Sequence, residues 1–122
     1  MKVRIKGNSV RMRLSKSEVE AFAKEGYVEE RTEFVNSTLI YSVKTTDAET
    51  LSAAYTSGNL TLFIPANLVE QWAFTDLVGL NYNMPVKNGR YLFILLEKDF
   101  KCIDDEVTED QSDYFENPSK TC

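Results

Sequence analysis

The chain repeats its own hydrophobic pattern at an interval of about 50 residues, and that recurrence restricts the possible folds more tightly than any other feature. Val10, Met12 and Leu14 correspond to Leu60, Leu62 and Ile64, then Val19, Glu20, Phe22 and Ala23 to Val69, Glu70, Trp72 and Ala73, and Val28 to Val78. Each copy reads as a ββαββ unit, at about residues 1–46 and 51–98. The competing reading is chance, because hydrophobic alternation is common. Both readings give an α+β chain: two tandem ββαββ units with pseudo-twofold character, a mostly antiparallel sheet or barrel-like sheets, two helices, and an acidic C-terminal tail.

In the first unit, residues 2–14 read as a hairpin. Val3 and Ile5 alternate with Lys2, Arg4 and Lys6; Gly7-Asn8 supplies a turn; Val10, Met12 and Leu14 alternate with Arg11 and Arg13. A two-residue loop sets Ile5 opposite Val10 and Val3 opposite Met12. On the other face it sets Arg4 opposite Arg11 and Lys2 opposite Arg13. Opposed like charges repel, so acidic groups are expected across this basic face. Ser15 and Glu18 form a capping-box pattern that starts a helix over residues 16–25, with Val19, Phe22 and Ala23 inward and Gly26 as its left-handed end. A strand over 27–34, with Val28 and Phe34 on one face, turns at Asn36-Ser37 into another over 38–44.

The second unit repeats this order. Gly58-Asn59 is displaced by one residue from Gly7-Asn8, which predicts a longer or bulged turn. The leading strand is expected at 51–55, a helix at 66–74 with Pro65 at its start, and strands at 78–82 and 90–97. The apolar run 91–96 reads as a strand covered on both faces, and so a central one.

The 122 residues, 43% hydrophobic and 27% charged, suit one α+β domain over 1–101, followed by a partly docked tail over 102–122. The longest apolar run is far short of the roughly 20 residues that span a bilayer, and no apolar signal core follows the charged N-terminus, so a cytoplasmic protein with no membrane partner is expected. Of 19 acids, seven lie between Cys102 and Cys122 beside a single base, Lys120. Six bases, by contrast, precede the first acid, Glu18.

The chain has no histidine, which removes Ser-His and Cys-His nucleophile pairs and imidazole metal ligands. No phosphate-binding glycine loop or nucleophile elbow is present. The two N-x-S/T triplets, at Asn36 and Asn59, read as turn chemistry. Cys102 and Cys122 leave three readings open: reduced thiols, a disulfide that pins the tail, or a zinc site completed by Asp104 or Asp113. The tail reads either as a solvated charge run or, because it carries Ile103, Val107, Tyr114 and Phe115, as a segment laid over Lys2, Arg4, Arg11 and Arg13. Glu29 and Glu33 are the alternative neutralising acids.

Lys6 to Arg11 with the Ser15 to Val19 cap, residues 26–30, Glu97 to Cys102, and the closing Glu109-Asp110-Gln111-Ser112-Asp113, Asn117-Pro118 and Cys122 together resemble a small uncharacterised bacterial protein family of this length. The resemblance covers the whole chain and implies a cytoplasmic bacterial protein with an α+β fold; it brings no activity, ligand or catalytic residue. A second resemblance, to swapped-hairpin regulators of the AbrB type, is carried by residues 60–64, Pro65, the helix after it and Val78-Gly79-Leu80. Nucleic-acid binding is disfavoured, because residues 51–80 contain no Lys or Arg.

The leading expectation is therefore a non-enzymatic binding or regulatory module. Its basic hairpin face (Lys2, Arg4, Arg11, Arg13) would take an anionic ligand or an acidic protein segment. The alternatives are a metal- or redox-linked protein using Cys102, Cys122, Asp104 and Asp113, and a nucleic-acid-binding regulator. No cofactor is implied beyond the zinc alternative.

Overall fold

The computed structural model describes residues 1–100 together with Asp113 and Phe115. The basic-apolar alternation at the N-terminus folds as β1 (Lys2–Ile5) and β2 (Ser9–Leu14), with Ile5 opposite Val10, Val3 opposite Met12, Arg4 opposite Arg11 and Lys2 opposite Arg13. Register follows from the alternation, because a slip of one residue would turn Val10, Met12 and Leu14 to solvent. Helix α1 (Lys16–Glu25) begins at a complete capping box between Ser15 and Glu18 and stops at Gly26, whose φ of 75° is left-handed. Then follow β3 (Tyr27–Glu33), β4 (Thr38–Thr46), β5 (Ser52–Thr56), β6 (Asn59–Pro65), α2 (Ala66–Ala73), β7 (Gly79–Pro85) and β8 (Tyr91–Lys98).

The strands form two four-stranded sheets, ordered β1-β2-β8-β7 and β3-β4-β6-β5. Each sheet takes one hairpin from each half of the chain, joined by a parallel pair, β2 with β8 and β4 with β6. Exchanging the halves turns one sheet order into the other. The register obeys the same exchange: Met12 lies beside Leu96 as Leu62 lies beside Val43. Edges also meet across the sheets, since the Met1 ammonium bonds Glu30 of β3 at 3.3 Å and Glu18 of α1 at 2.8 Å, and the Ala53 N–H of β5 donates to Met84 Sδ of β7 at 3.4 Å.

The inner faces bury Val10, Met12, Leu14, Val43, Leu60, Leu62, Ile64, Ile94 and Leu96, and the helices close one end by inserting Phe22 and Trp72 at equivalent positions. Fully burying side chains of this kind contributes roughly 1.5–3 kcal/mol each. Trp72 differs from Phe22 in having a polar edge, and its Nε1–H donates to the Val78 carbonyl at 3.0 Å.

Four details depart from the sequence reading. The second turn is neither long nor bulged: Thr56 pairs with Asn59 around Ser57-Gly58, both at positive φ (49° and 79°). The glycine has moved within a two-residue loop, and the 50-residue interval holds through it. The partner of Val28 is Leu80 rather than Val78, because Val28 opposes Val43 as Leu80 opposes Leu96, and the connection after α2 is longer than the single Gly26 after α1. Phe34 lies beyond the end of β3 and is 59% exposed instead of sharing the buried face of Val28. Strand β8 is central, between β2 and β7, but only its inner face is buried; Phe93 and Leu95 on the outer face are half-covered. Among the described residues no helix is long and apolar enough to cross a membrane.

Candidate functional site

The outer face of the β1–β2 hairpin gathers the four bases singled out from the sequence. Antiparallel pairing places Arg4 directly across from Arg11 and Lys2 across from Arg13, and the parallel pairing of β2 sets Arg11 beside Leu95 and Arg13 beside Glu97. The four side chains enclose a groove of about 170 Å³. Next to it, Arg4, Lys6, Ser9, Arg11 and Phe93 border a second, of about 270 Å³.

The two pairs differ electrostatically. Arg13 Nε donates to Glu97 at 2.6 Å, a bond that raises the guanidinium's proton affinity against the opposing effect of burial. Lys2 Nζ lies 3.2 Å from Asp99. Both acids come from the end of β8 and the residue after it, so part of the neutralisation expected from the tail is supplied by the core sheet. Arg4 and Arg11 have no acidic partner among the described residues. Glu29 and Glu33 do not serve, because β3 belongs to the other sheet, and Glu29 is bound by Arg31 Nε at 2.8 Å and by the Tyr27 hydroxyl at 2.8 Å.

Asp113 lies elsewhere. Its carbonyl accepts from the Lys16 N–H at 2.9 Å, and its carboxylate accepts from the Ser17 N–H at 3.0 Å and the Ser17 hydroxyl at 2.6 Å, which satisfies free donors at the start of α1. The Ser17 hydroxyl, and after it the Ser15 hydroxyl, hold this carboxyl below its ordinary range. Phe115 pairs with Phe100 edge-to-face at 5.7 Å, and its N–H donates to the Asp99 carbonyl at 2.8 Å. Cys102, Cys122 and Asp104, and the placement of the tail's remaining acids, lie outside the described residues. Among the described residues, no three His, Cys, Asp or Glu side chains gather as a metal site requires.

Sequence reasoning missed Lys98. It is buried, donates to the Thr75 carbonyl at 2.7 Å, and lies 5.9 Å from the Trp72 ring and 5.2 Å from the Phe115 ring. Burial lowers its proton affinity, against a smaller opposing pull from Asp76. The aromatic faces and the carbonyl account for it as a tether between β8 and the end of α2.

The fold and this face describe an α+β protein with hairpins exchanged between its halves and one strongly basic sheet surface. The chain belongs to a family of unknown function, DUF7009, whose model matches residues 1–119. No curated protein matches the chain, and no solved structure does.

Proposed function

We propose that the chain is a cytoplasmic, non-enzymatic binding module, and that the outer hairpin face takes an acidic protein segment across Arg4 and Arg11. The observation that carries this reading is the direct opposition of those two arginines with no acid between them among the described residues. Such a pair costs stability in the free protein, and an arriving carboxylate relieves it. The surroundings favour a polypeptide over a bare inorganic ion, since half-covered Phe93 and Leu95 lie beside Arg11 and offer apolar contact next to the charge. The equivalent face of the second half, with Ser52, Ala54, Thr56, Thr61 and Phe63, carries no charge, so the binding surface belongs to one half only.

The test is a titration of the full chain with a synthetic peptide of alternating glutamate and valine, followed by amide NMR. Shifts concentrated at Arg4, Arg11, Phe93 and Leu95, and lost in Arg4→Gln/Arg11→Gln, support the reading. Shifts spread over the surface, or unchanged in the double variant, refute it.

A further inference from the structure

Among the described residues, the end of the molecule opposite the helices is open. There the inner faces of the two sheets bound an apolar cavity of about 620 Å³. Its wall is built from positions related by the exchange of halves: Ile5 with Tyr55, Val10 with Leu60, and Leu39 with Leu92. The next inward residues along β2 and β6, Met12 and Leu62, are fully buried, so the cavity is blind at its base. Sites for small molecules span about 300–1,000 Å³.

The lining specifies the chemistry of the occupant. The hydroxyls of Thr32 and Tyr41 lie 3.2 Å apart, and Tyr41 donates to Glu30 at 3.1 Å, while Tyr55 stands at the rim, 68% exposed. A ligand reaching the base meets Val10 and Leu60, with Met12 and Leu62 beneath them, so its buried part is hydrocarbon. At this end of the sheet the β7–β8 connection, which follows Met84 and precedes Leu92 of the cavity wall, meets the β1–β2 turn and carries Lys87 and Arg90, while Lys6 borders the outer groove. Asn8 ties these two turns together, its side chain donating to the Tyr91 carbonyl at 2.7 Å and its own carbonyl accepting from the Phe93 N–H at 3.1 Å.

We infer that this mouth binds a single-chain anionic amphiphile of the fatty-acid type. The hydrocarbon lies along the pseudo-twofold axis and the carboxylate sits at the Lys87 and Arg90 side. The site is separate from the outer hairpin face.

The probe is 11-(dansylamino)undecanoic acid, with dodecanoate as competitor, added to the full chain. The expected result is saturable, blue-shifted fluorescence displaced by dodecanoate. Ile5→Glu/Tyr55→Glu alters side chains that are 63% and 68% exposed, and so leaves the fold intact by circular dichroism; it should weaken binding at least about tenfold by placing charge at the entrance. Lys87→Glu/Arg90→Glu should weaken it less, and Arg4→Gln/Arg11→Gln should leave it unchanged. Absence of saturable binding, or unchanged affinity in the Ile5/Tyr55 variant, overturns the inference. So does binding only to phosphatidylglycerol vesicles with none to free dodecanoate, which would make the mouth a membrane-surface patch. A concentration-dependent dimer abolished by Ile5→Glu/Tyr55→Glu also overturns it, by assigning the mouth to a second copy of the chain.

Discussion

Arg4 and Arg11 are neighbours because hairpin register, not local preference, decides what faces what. A directly opposed like-charge pair costs about 0.2–1 kcal/mol, so Arg11→Glu, which turns repulsion into attraction, is expected to stabilise the free protein by about 0.5–1 kcal/mol in urea unfolding at low salt. Added sodium chloride should narrow that gap by screening; a gap that widens would show that the two guanidiniums do not interact. A second residue-scale prediction concerns Trp72, whose Nε1–H satisfies the Val78 carbonyl. Trp72→Phe restores the side chain of its counterpart Phe22 and removes one of two donors to that carbonyl, which keeps the Lys98 N–H at 3.1 Å; the lost hydrogen bond should cost about 0.5–1.5 kcal/mol, read as a lower urea midpoint. The basic face was legible in the sequence because alternation and a turn suffice to place it. Lys98 was not, since it occupies an outwardly ordinary place at the end of a strand and its burial is created by Trp72 and Phe115, distant along the chain.

Among the elements, the two hairpin turns show how one register is reached through different turn geometries. Gly7 takes positive φ in the first, Ser57 and Gly58 in the second. Serine is a poor residue at φ 49°, so Ser57→Asn, which supplies the favoured Asn-Gly turn, should raise the melting temperature, and a fall would contradict the assigned turn. The misjudged bulge arose from aligning the glycines rather than the strands they join. Helix α1 carries a second consequence. Because the Ser17 and Ser15 hydroxyls depress the Asp113 carboxyl, its docking contributes stability that is present above the ordinary Asp value of about 3.9 and is lost as pH falls through the lower folded value. The Ser17 amide resonance should therefore move on acidification, and Asp113→Asn should shift it at neutral pH. A Ser17 resonance indifferent to both changes would refute the contact. Helix positions were legible from their caps, Ser15 with Glu18 and Gly26. The docking of residue 113 was not, because a single carboxylate in an acidic run carries no address.

At the scale of the whole molecule, the exchange of hairpins makes the halves interdependent, for neither sheet exists without strands from both. Unfolding is expected as one transition, and residues 1–50 and 51–100 made separately should lack stable tertiary structure until mixed. The repeat was readable from side-chain periodicity, but the pairing of β2 with β8 and β4 with β6 was not, since periodicity states which face is buried and leaves the partner strand open. The same architecture gathers four bases on the outer hairpin face of one sheet, whereas the other sheet's outer face mixes Glu29, Arg31, Glu33 and Lys44, and that difference underlies the proposed function. The most direct test of that claim is the melting temperature of the full chain and of Arg4→Gln/Arg11→Gln, each with the alternating glutamate-valine peptide or with sodium chloride at equal ionic strength. The account predicts a variant that is more stable on its own, with the peptide raising the wild-type value above the salt control and leaving the variant at its own control. Equal responses of the two proteins to the peptide would contradict it.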